Sequence, residues 1–291
     1  MHNPGSVPID LQQWNLNVWT KRRREDKARL ILDRPYDVLC LQELDRDTYD
    51  YLSATIPGRS LFGLDLQPRP GDRAYGSAIF VSKRHDWLDG GVIPGIPWLE
   101  RGVWAEIAVE GQRLVVGSFH APNAAGQGRS VKMAAYAAVT DWLIARSGPT
   151  VLAMDANSFW DHLPEDDQPA LDRRQRRDPA GHWAEDLRLL GPTRSHDLRD
   201  AWLDLLTADS TETERTRRLR PSGPTAVTWS CAPHGQLTGR RYDLVFVSPE
   251  LQVVSLDHRY AEALSAGSDH ALVSATLALT VRTLVPNGDA R

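Results

Sequence analysis

Short apolar runs alternate along this chain with stretches whose apolar side chains recur at helical spacing. That alternation predicts α/β organisation. In "IDLQQWNLNVW" (9–19) a period of two predicts a strand, with Trp14, Leu16 and Val18 on one face and Gln13, Asn15 and Asn17 on the other. "REDKARLILDR" (24–34) reads as a helix that Pro35 stops. Strands are expected in "DVLCLQ" (37–42), "YGSAIFVSK" (75–83), "VWAEIAVE" (103–110) and "RLVVGSF" (113–119), with Gly111 in a tight hairpin between the last two. The best helical pattern is "SVKMAAYAAVTDWLIARSG" (130–148). Val131, Ala135, Ala138, Val139, Trp142 and Leu143 form its apolar stripe, and Gly148 is the expected stop. "TVLAM" (150–154), "YDLVFVS" (242–248) and "ALVSATLAL" (271–279) complete the strands. A polar segment at about 159–222 carries helical patterns in "AEDLRLLG" (184–191) and "HDLRDAWLDLL" (196–206). No composition shift marks a linker, so the chain reads as one domain, 1–291, in which 159–222 is the variable part. Trp160, Trp183 and Trp202 in that part are read as small-core anchors rather than base-stacking platforms.

Composition changes this picture little. Apolar residues make up 41% and charged residues 25%, ordinary values for a globular protein. No run approaches the roughly 18 apolar residues of a membrane span. The start of the chain lacks the basic-then-apolar pattern of an export signal, so a cytoplasmic location is expected. Two cysteines do not make a disulfide framework; both are read as reduced, and Cys40 as a small core residue. The net charge of −4 does not advertise nucleic-acid binding. Its distribution is uneven, however. "KRRREDK" (21–27), "LDRRQRRD" (171–178) and "RTRRLR" (215–220) are dense in basic residues that can track a phosphate backbone. Each alone also reads as a solvated face.

Candidate chemistry lies where the strands end. The first strand carries Asn15 and Asn17. "DVLCLQEL" is apolar until Gln42 and Glu43, "RLVVGSFHAPN" until His120 and Asn123, and "TVLAMDANS" until Asp155 and Asn157. Asp243 opens "YDLVFVS", and Asp269 and His270 open the last strand. Singly, such residues are ordinary turn formers. Together, two histidines, several carboxylates and several amides suit a divalent-metal phosphoester site, because hard cations take oxygen ligands and histidine can donate to a phosphate oxygen. Glu43 and Asp269 could hold the ion, with Asn15 nearby. There is no zinc-type Cys/His spacing and no Walker-type loop. Ser268 lacks the setting of a hydrolase nucleophile and reads as a turn residue.

The ordered pieces "WNLN" (14–17), "LQE" (41–43), "HAPN" (120–123), "DAN" (155–157), "YDLVFVS" (242–248) and "SDH" (268–270) resemble the endonuclease/exonuclease/phosphatase superfamily, the DNase I-like group. The resemblance implies a four-layer α/β (α+β) sandwich: two packed, mostly antiparallel β-sheets flanked by helices, with the site at the top. It implies Glu43 as the main ligand of Mg²⁺, or Mn²⁺ as a substitute, with Asn15 and Asp269 close by and Asn17 in the place of a second polar residue near the metal. Asp155 and Asn157 would position or deprotonate the attacking water. His270, paired with Asp243, would contact the scissile phosphate, with His120 and Asn123 on its other side. The chain departs from the pattern at Met154, where the family usually has glycine, and in "VTWSCAPHGQLTGRRYD", which keeps only Trp229 of the repair nucleases' paired aromatics. The leading expectation is a metal-dependent phosphodiesterase that hydrolyses DNA. The alternative is an enzyme of the same fold acting on a small-molecule or lipid phosphoester, which the acidic balance mildly favours.

Overall fold

The computed structural model describes residues 6–69, 74–221, 223–231 and 238–280. The strands are β1 (Ser6–Asn15), β2 (Val38–Leu44), β3 (Arg59–Phe62), β4 (Gly76–Val81), β5 (Asp86–Val92), β6 (Gly102–Val109), β7 (Gln112–His120), β8 (Thr150–Asp155), β9 (Arg199–Asp200), β10 (Trp229–Cys231), β11 (Thr238–Arg240), β12 (Asp243–Val247), β13 (Leu251–Arg259) and β14 (Leu272–Thr280). The helices are α1 (Arg24–Leu32), α2 (Arg46–Thr55), α3 (Gly63–Leu66), α4 (Ala124–Gln127), α5 (Arg129–Ile144), α6 (Asp167–Arg177), α7 (Ala184–Leu189), α8 (Ala201–Ala208), α9 (Ser210–Leu219) and α10 (Tyr260–Ser265).

Two six-stranded mixed sheets form, in the orders β13-β14-β1-β2-β4-β3 and β5-β6-β7-β8-β12-β9. One cluster of inward-facing residues, including Ile9, Val38, Val116 and Val245, fills the space between them. A second packs the outer face of the β7–β8–β12 sheet on α5 and α7 through Phe119, Val139, Leu189 and Phe246. A third packs the outer face of the other sheet on α1, α2 and α10 through Ile31, Leu39, Leu52 and Ala263. Three apolar slabs separate four layers, as the resemblance implied. Met154 takes part in the helix-side slab and is fully buried, so its bulk fills core rather than distorting the turn that follows.

All eight strands expected from the sequence are interior strands of the two six-stranded sheets; of the six that escaped, β3, β5, β9 and β13 are the edges of those sheets, and β10 and β11 pair with each other in a small separate one. Interior strands are covered on both faces and read as apolar runs. An edge strand such as β13 keeps exposed polar positions through most of its length, so its pattern is diluted. Boundaries differ from expectation at three places. The helical pattern at 196–206 begins only at Ala201, because Arg199 and Asp200 pair with β12 as the edge strand β9. β1 stops at Asn15, and the chain turns at Asn17 (φ 52°) into a short 3₁₀ helix, Val18–Arg23, so Asn17 is not on the strand. Helix α5 ends at Ile144, and Gly148 (φ 87°) serves the turn into β8. The hairpin between β6 and β7 does turn on Gly111, with Glu110 also at positive φ. Among the described residues no helix is long and apolar enough to cross a membrane. Cys40 is buried and free, its thiol pushed up by burial; the side chain of Cys231 lies outside the described residues.

Candidate active site

Along the central strands the inward-facing row changes from apolar to polar at one end of the sandwich. On β1 it reads Ile9, Leu11, then Gln13, Asn15; on β2 Val38, Cys40, then Gln42; on β7 Leu114, Val116, then Ser118, His120; on β8 Val151, Ala153, then Asp155. Strand β12 runs the other way and begins with Asp243 before Val245 and Val247. The parallel pairs β1/β2 and β7/β8 bring the C-terminal ends of those strands to one edge. The register then sets His120 beside Asp155 and Asp155 beside Asp243.

These polar ends are buried, so each must find partners. Most find them across the two sheets, while Gln13 Oε1 and His120 Nδ1 have no partner among the described residues. Gln13 Nε2 donates to Gln42 Oε1 (2.8 Å) and Asp243 Oδ1 (3.0 Å), and Gln42 Nε2 donates to Ser118 Oγ (3.0 Å). Asn15 Nδ2 donates to Asp155 Oδ2 (2.8 Å). The pieces "NLN" and "DAN" build the same turn: the Asn17 N–H donates to Asn15 Oδ1 and the Asn157 N–H to Asp155 Oδ1, each at 2.9 Å. Asn17, Glu43 (φ 55°) and Asn157 (φ 48°) all have left-handed backbones. Glu43 sits where the β2/β4 register shifts, in a bulge that re-aims its carboxylate. Backbone strain of this kind, on the order of 1–3 kcal/mol per residue, gathers at functional sites.

Two histidines face the row with opposite charge states. His270 Nδ1 lies 2.8 Å from Asp243 Oδ2, and Nε2 lies 3.8 Å from Asp155 Oδ2. Burial, the largest single influence, works against the imidazolium; Asp243 and Asp155 outweigh it and raise the pKa to about 10. His120 goes the other way: burial, then Arg101 and His270, hold it well below the ordinary value, so it is neutral. Its Nε2 lies 3.3 Å from Asn157 Nδ2, 3.5 Å from Glu43 Oε1 and 3.6 Å from Asp155 Oδ2. Asp155 is itself raised to about 7, mainly by burial, with Asp243 adding while His270 and two hydrogen bonds oppose. Ser268 is a turn residue, as expected: its hydroxyl donates to the Asn15 carbonyl and accepts from the His270 N–H.

Asp269, half-buried, accepts from Asn17 Nδ2 (2.7 Å) and from the indole Nε1 of Trp229 (3.1 Å). Glu43 Oε2 accepts from the Val18 N–H at 3.2 Å. Asn123 is exposed, and its side-chain oxygen caps α4 through the Ala125 N–H. Among the described residues Asn123 makes no hydrogen bond to the carboxylate–histidine row. Asp155, Asp243 and His270 each offer one ligand atom, all within 4.8 Å of one another, a spacing that could hold a metal. His270 Nδ1, however, already bonds Asp243.

Among the buried cations that escaped the sequence reading, three act on the groups of the site. Lys27 reads as part of a solvated basic run. It is buried instead, with its pKa lowered to about 8 by burial against the pull of Asp45, Glu43 and Asp269. Arg101 lies between Trp98 (4.4 Å) and Tyr75 (4.5 Å) and donates to Gln127. Lys132 donates to the Asn157 carbonyl at 2.6 Å. Only Lys132 left a signal, since it precedes the buried Ala135, Tyr136 and Val139 at helical spacing. The basic runs themselves are largely engaged. Arg174 pairs with Asp186, Arg215 with Glu212 and Arg217 with Glu165, and Arg23 donates to the Ser265 carbonyl. Trp160 and Trp202 are buried as expected. Trp183 is only half-buried, and Arg129 lies over its ring at 4.8 Å.

The Endonuclease/Exonuclease/phosphatase family matches residues 13–270. The chain belongs to this family. Among solved structures, D. rerio TDP2 "complexed with single strand DNA product" aligns with a TM-score of 0.64 at 18% identity, covering 93% of this chain and 99% of that one. The human Nocturnin catalytic domain with bound sulfate anion gives 0.57 at 18%, covering 94% and 95%. A family protein from Bacteroides vulgatus gives 0.62 at 16%, covering 94% and 99%. At these identities the likeness shows the fold. No curated protein sequence matches the chain.

Proposed function

We propose that this family member is a divalent-metal-dependent phosphodiesterase that hydrolyses DNA. The observation that carries the reading is the buried row His120, Asp155, Asp243 with His270 closing it. Asp155, with its pKa near 7, is matched to taking a proton from water at neutral pH, and Asn157 fixes its geometry. The His270 imidazolium, held by Asp243, faces the developing charge of the phosphoryl group. Neutral His120, with Asn123 at the rim, serves the phosphate from the other side.

The corner made by Glu43, Asp269 and the Asn15 amide, with Asn17 beside it, offers oxygen donors only, which suits Mg²⁺, with Mn²⁺ as its substitute. The carboxylates of Asp45, Glu43 and Asp269 pull on the buried Lys27 ammonium beside this corner, although burial outweighs them and lowers its pKa. A bound cation supplies polarisation of the phosphate and neutralises its charge. DNA is favoured by an aromatic row at the site: Trp229 stacks on Tyr242 (5.2 Å, 24°) and lies 6.5 Å from His270, and Phe159 leans on Tyr242 at 6.1 Å. It is also favoured by the TDP2 neighbour, which holds a single-strand DNA product.

The test is nicking of supercoiled plasmid with Mg²⁺, Mn²⁺ or EDTA, by wild type and His270→Ala side by side. Nicking that needs metal and is lost in the variant is expected. Full nicking by the variant refutes the site. No nicking by wild type, with metal-dependent cleavage of a small phosphodiester, moves the substrate to the small-molecule or lipid class.

A further inference from the structure

The variable segment encloses a cavity of about 590 Å³ beside the candidate site. Phe159 and Arg240 form its near edge. Phe159 follows Asn157 by two positions and Arg240 precedes Asp243 by three, and the Ala156 N–H bonds the Tyr242 carbonyl at 2.8 Å, which holds the two segments side by side. Arg173, Arg217 and Arg220 line the rest, with His162. Against four guanidiniums stand the carboxylates Asp161 and Asp166, and Asp161 is already neutralised from behind by Arg241 (2.9 Å). Arg217 is paired with Glu165, but Arg220 and Arg240 donate to the carbonyls of Thr225 and Gly239, both at 2.9 Å, and have no ion pair among the described residues. Arg173 has no ion pair among the described residues. A second cavity, of about 730 Å³ over Trp202 and His258, mixes Asp209, Glu212 and Glu262 with Arg215 and Arg220, so its lining selects no ligand charge.

We propose that the arginine-lined cavity is a second phosphate subsite, which takes a backbone phosphate of single-stranded DNA flanking the bond that is hydrolysed. This rests on the DNA reading of the site. Three residues of extended chain span at most about 10 Å, which keeps the cavity within a short stretch of strand from Asp243. Guanidinium groups bind phosphate oxygens in pairs. The Phe159 ring, 36% exposed and carrying Arg240 at 5.7 Å, offers the flanking base a face to stack on.

The test is fluorescence anisotropy of a labelled single-stranded octanucleotide in EDTA, at several salt concentrations, with wild type and Arg173→Gln/Arg240→Gln. The same octanucleotide is assayed for cleavage with Mg²⁺. The double variant is expected to bind roughly tenfold more weakly, with a salt slope lower by about 0.7 for the lost phosphate contact. The loss should be larger for the octanucleotide than for a dinucleotide, and the Arg173→Lys/Arg240→Lys pair should recover part of it. Cleavage by wild type with unchanged affinity and slope in the variant overturns the subsite and leaves the nuclease reading standing. If wild type neither binds nor cleaves, both fall.

Discussion

Arg241→Met should be among the most destabilising single changes in this chain. Arg241 is 1% exposed. Its Nε donates to Asp161 Oδ1 (2.9 Å), its two terminal nitrogens to the Asp200 oxygens (3.1 and 2.8 Å), and one of them also to the Trp160 carbonyl (3.2 Å). Burial alone would lower its pKa; Asp200 and then Asp161 outweigh that and raise it. Methionine fills similar volume but leaves two buried carboxylates without their cation. Breaking a buried pair this way costs about 3–5 kcal/mol. A chain of this length loses about 2 °C of melting temperature per kcal/mol, so a fall of about 6–10 °C is expected by circular dichroism. The cost lies in the orphaned charge, so Arg241→Met/Asp161→Asn/Asp200→Asn should recover part of it. Asparagine can still accept from the Thr225 N–H at position 161 and cap α8 through Trp202 and Leu203 at position 200. A single variant that melts within 1 °C of wild type, or a triple variant no more stable than the single, would refute this accounting.

Asp155→Asn should lower kcat by about 10²- to 10⁴-fold at unchanged melting temperature, read on any phosphodiester the wild type cleaves; a loss below tenfold would remove Asp155 from proton transfer. Trp229→Phe keeps the stack on Tyr242 but loses the indole N–H that holds Asp269 at 3.1 Å. The Mg²⁺ concentration for half-maximal rate should rise roughly tenfold or more, and an unchanged metal titration would separate Asp269 from the ion. His196 Nδ1 accepts from the Leu198 N–H (3.2 Å) and Nε2 lies 2.9 Å from the Leu189 carbonyl. Burial, mainly, lowers its pKa from 6.5 to about 4. A depressed folded-state value means that the stabilisation is full above about pH 6.5 and is lost as pH falls toward 4. The gap in urea midpoint between wild type and His196→Gln should therefore narrow over that window, and a constant gap would count against it.

The sequence alone determined the interior of this fold. The period-two pattern of β1 and seven largely apolar runs became the eight inner strands, because a strand covered on both faces is mostly apolar whatever surrounds it. It also marked the candidate site, since Gln42, His120 and Asp155 end otherwise apolar runs, Asp243 opens one, and Asn15 ends a row that opens with Ile9 and Leu11. Tertiary structure decided what those residues do to one another. The two parallel pairings and their register put His120, Asp155 and Asp243 in one row, and the same histidine chemistry came out neutral at His120 and charged at His270. Position in the chain carries no information about charge state, because burial and a carboxylate at 2.8 Å come from residues far away in sequence. The edge strands and the buried cations Lys27, Arg101 and Arg241 were illegible for the same reason. A polar residue's place is set by a partner that only the folded chain supplies, whereas an apolar residue's is set largely by water.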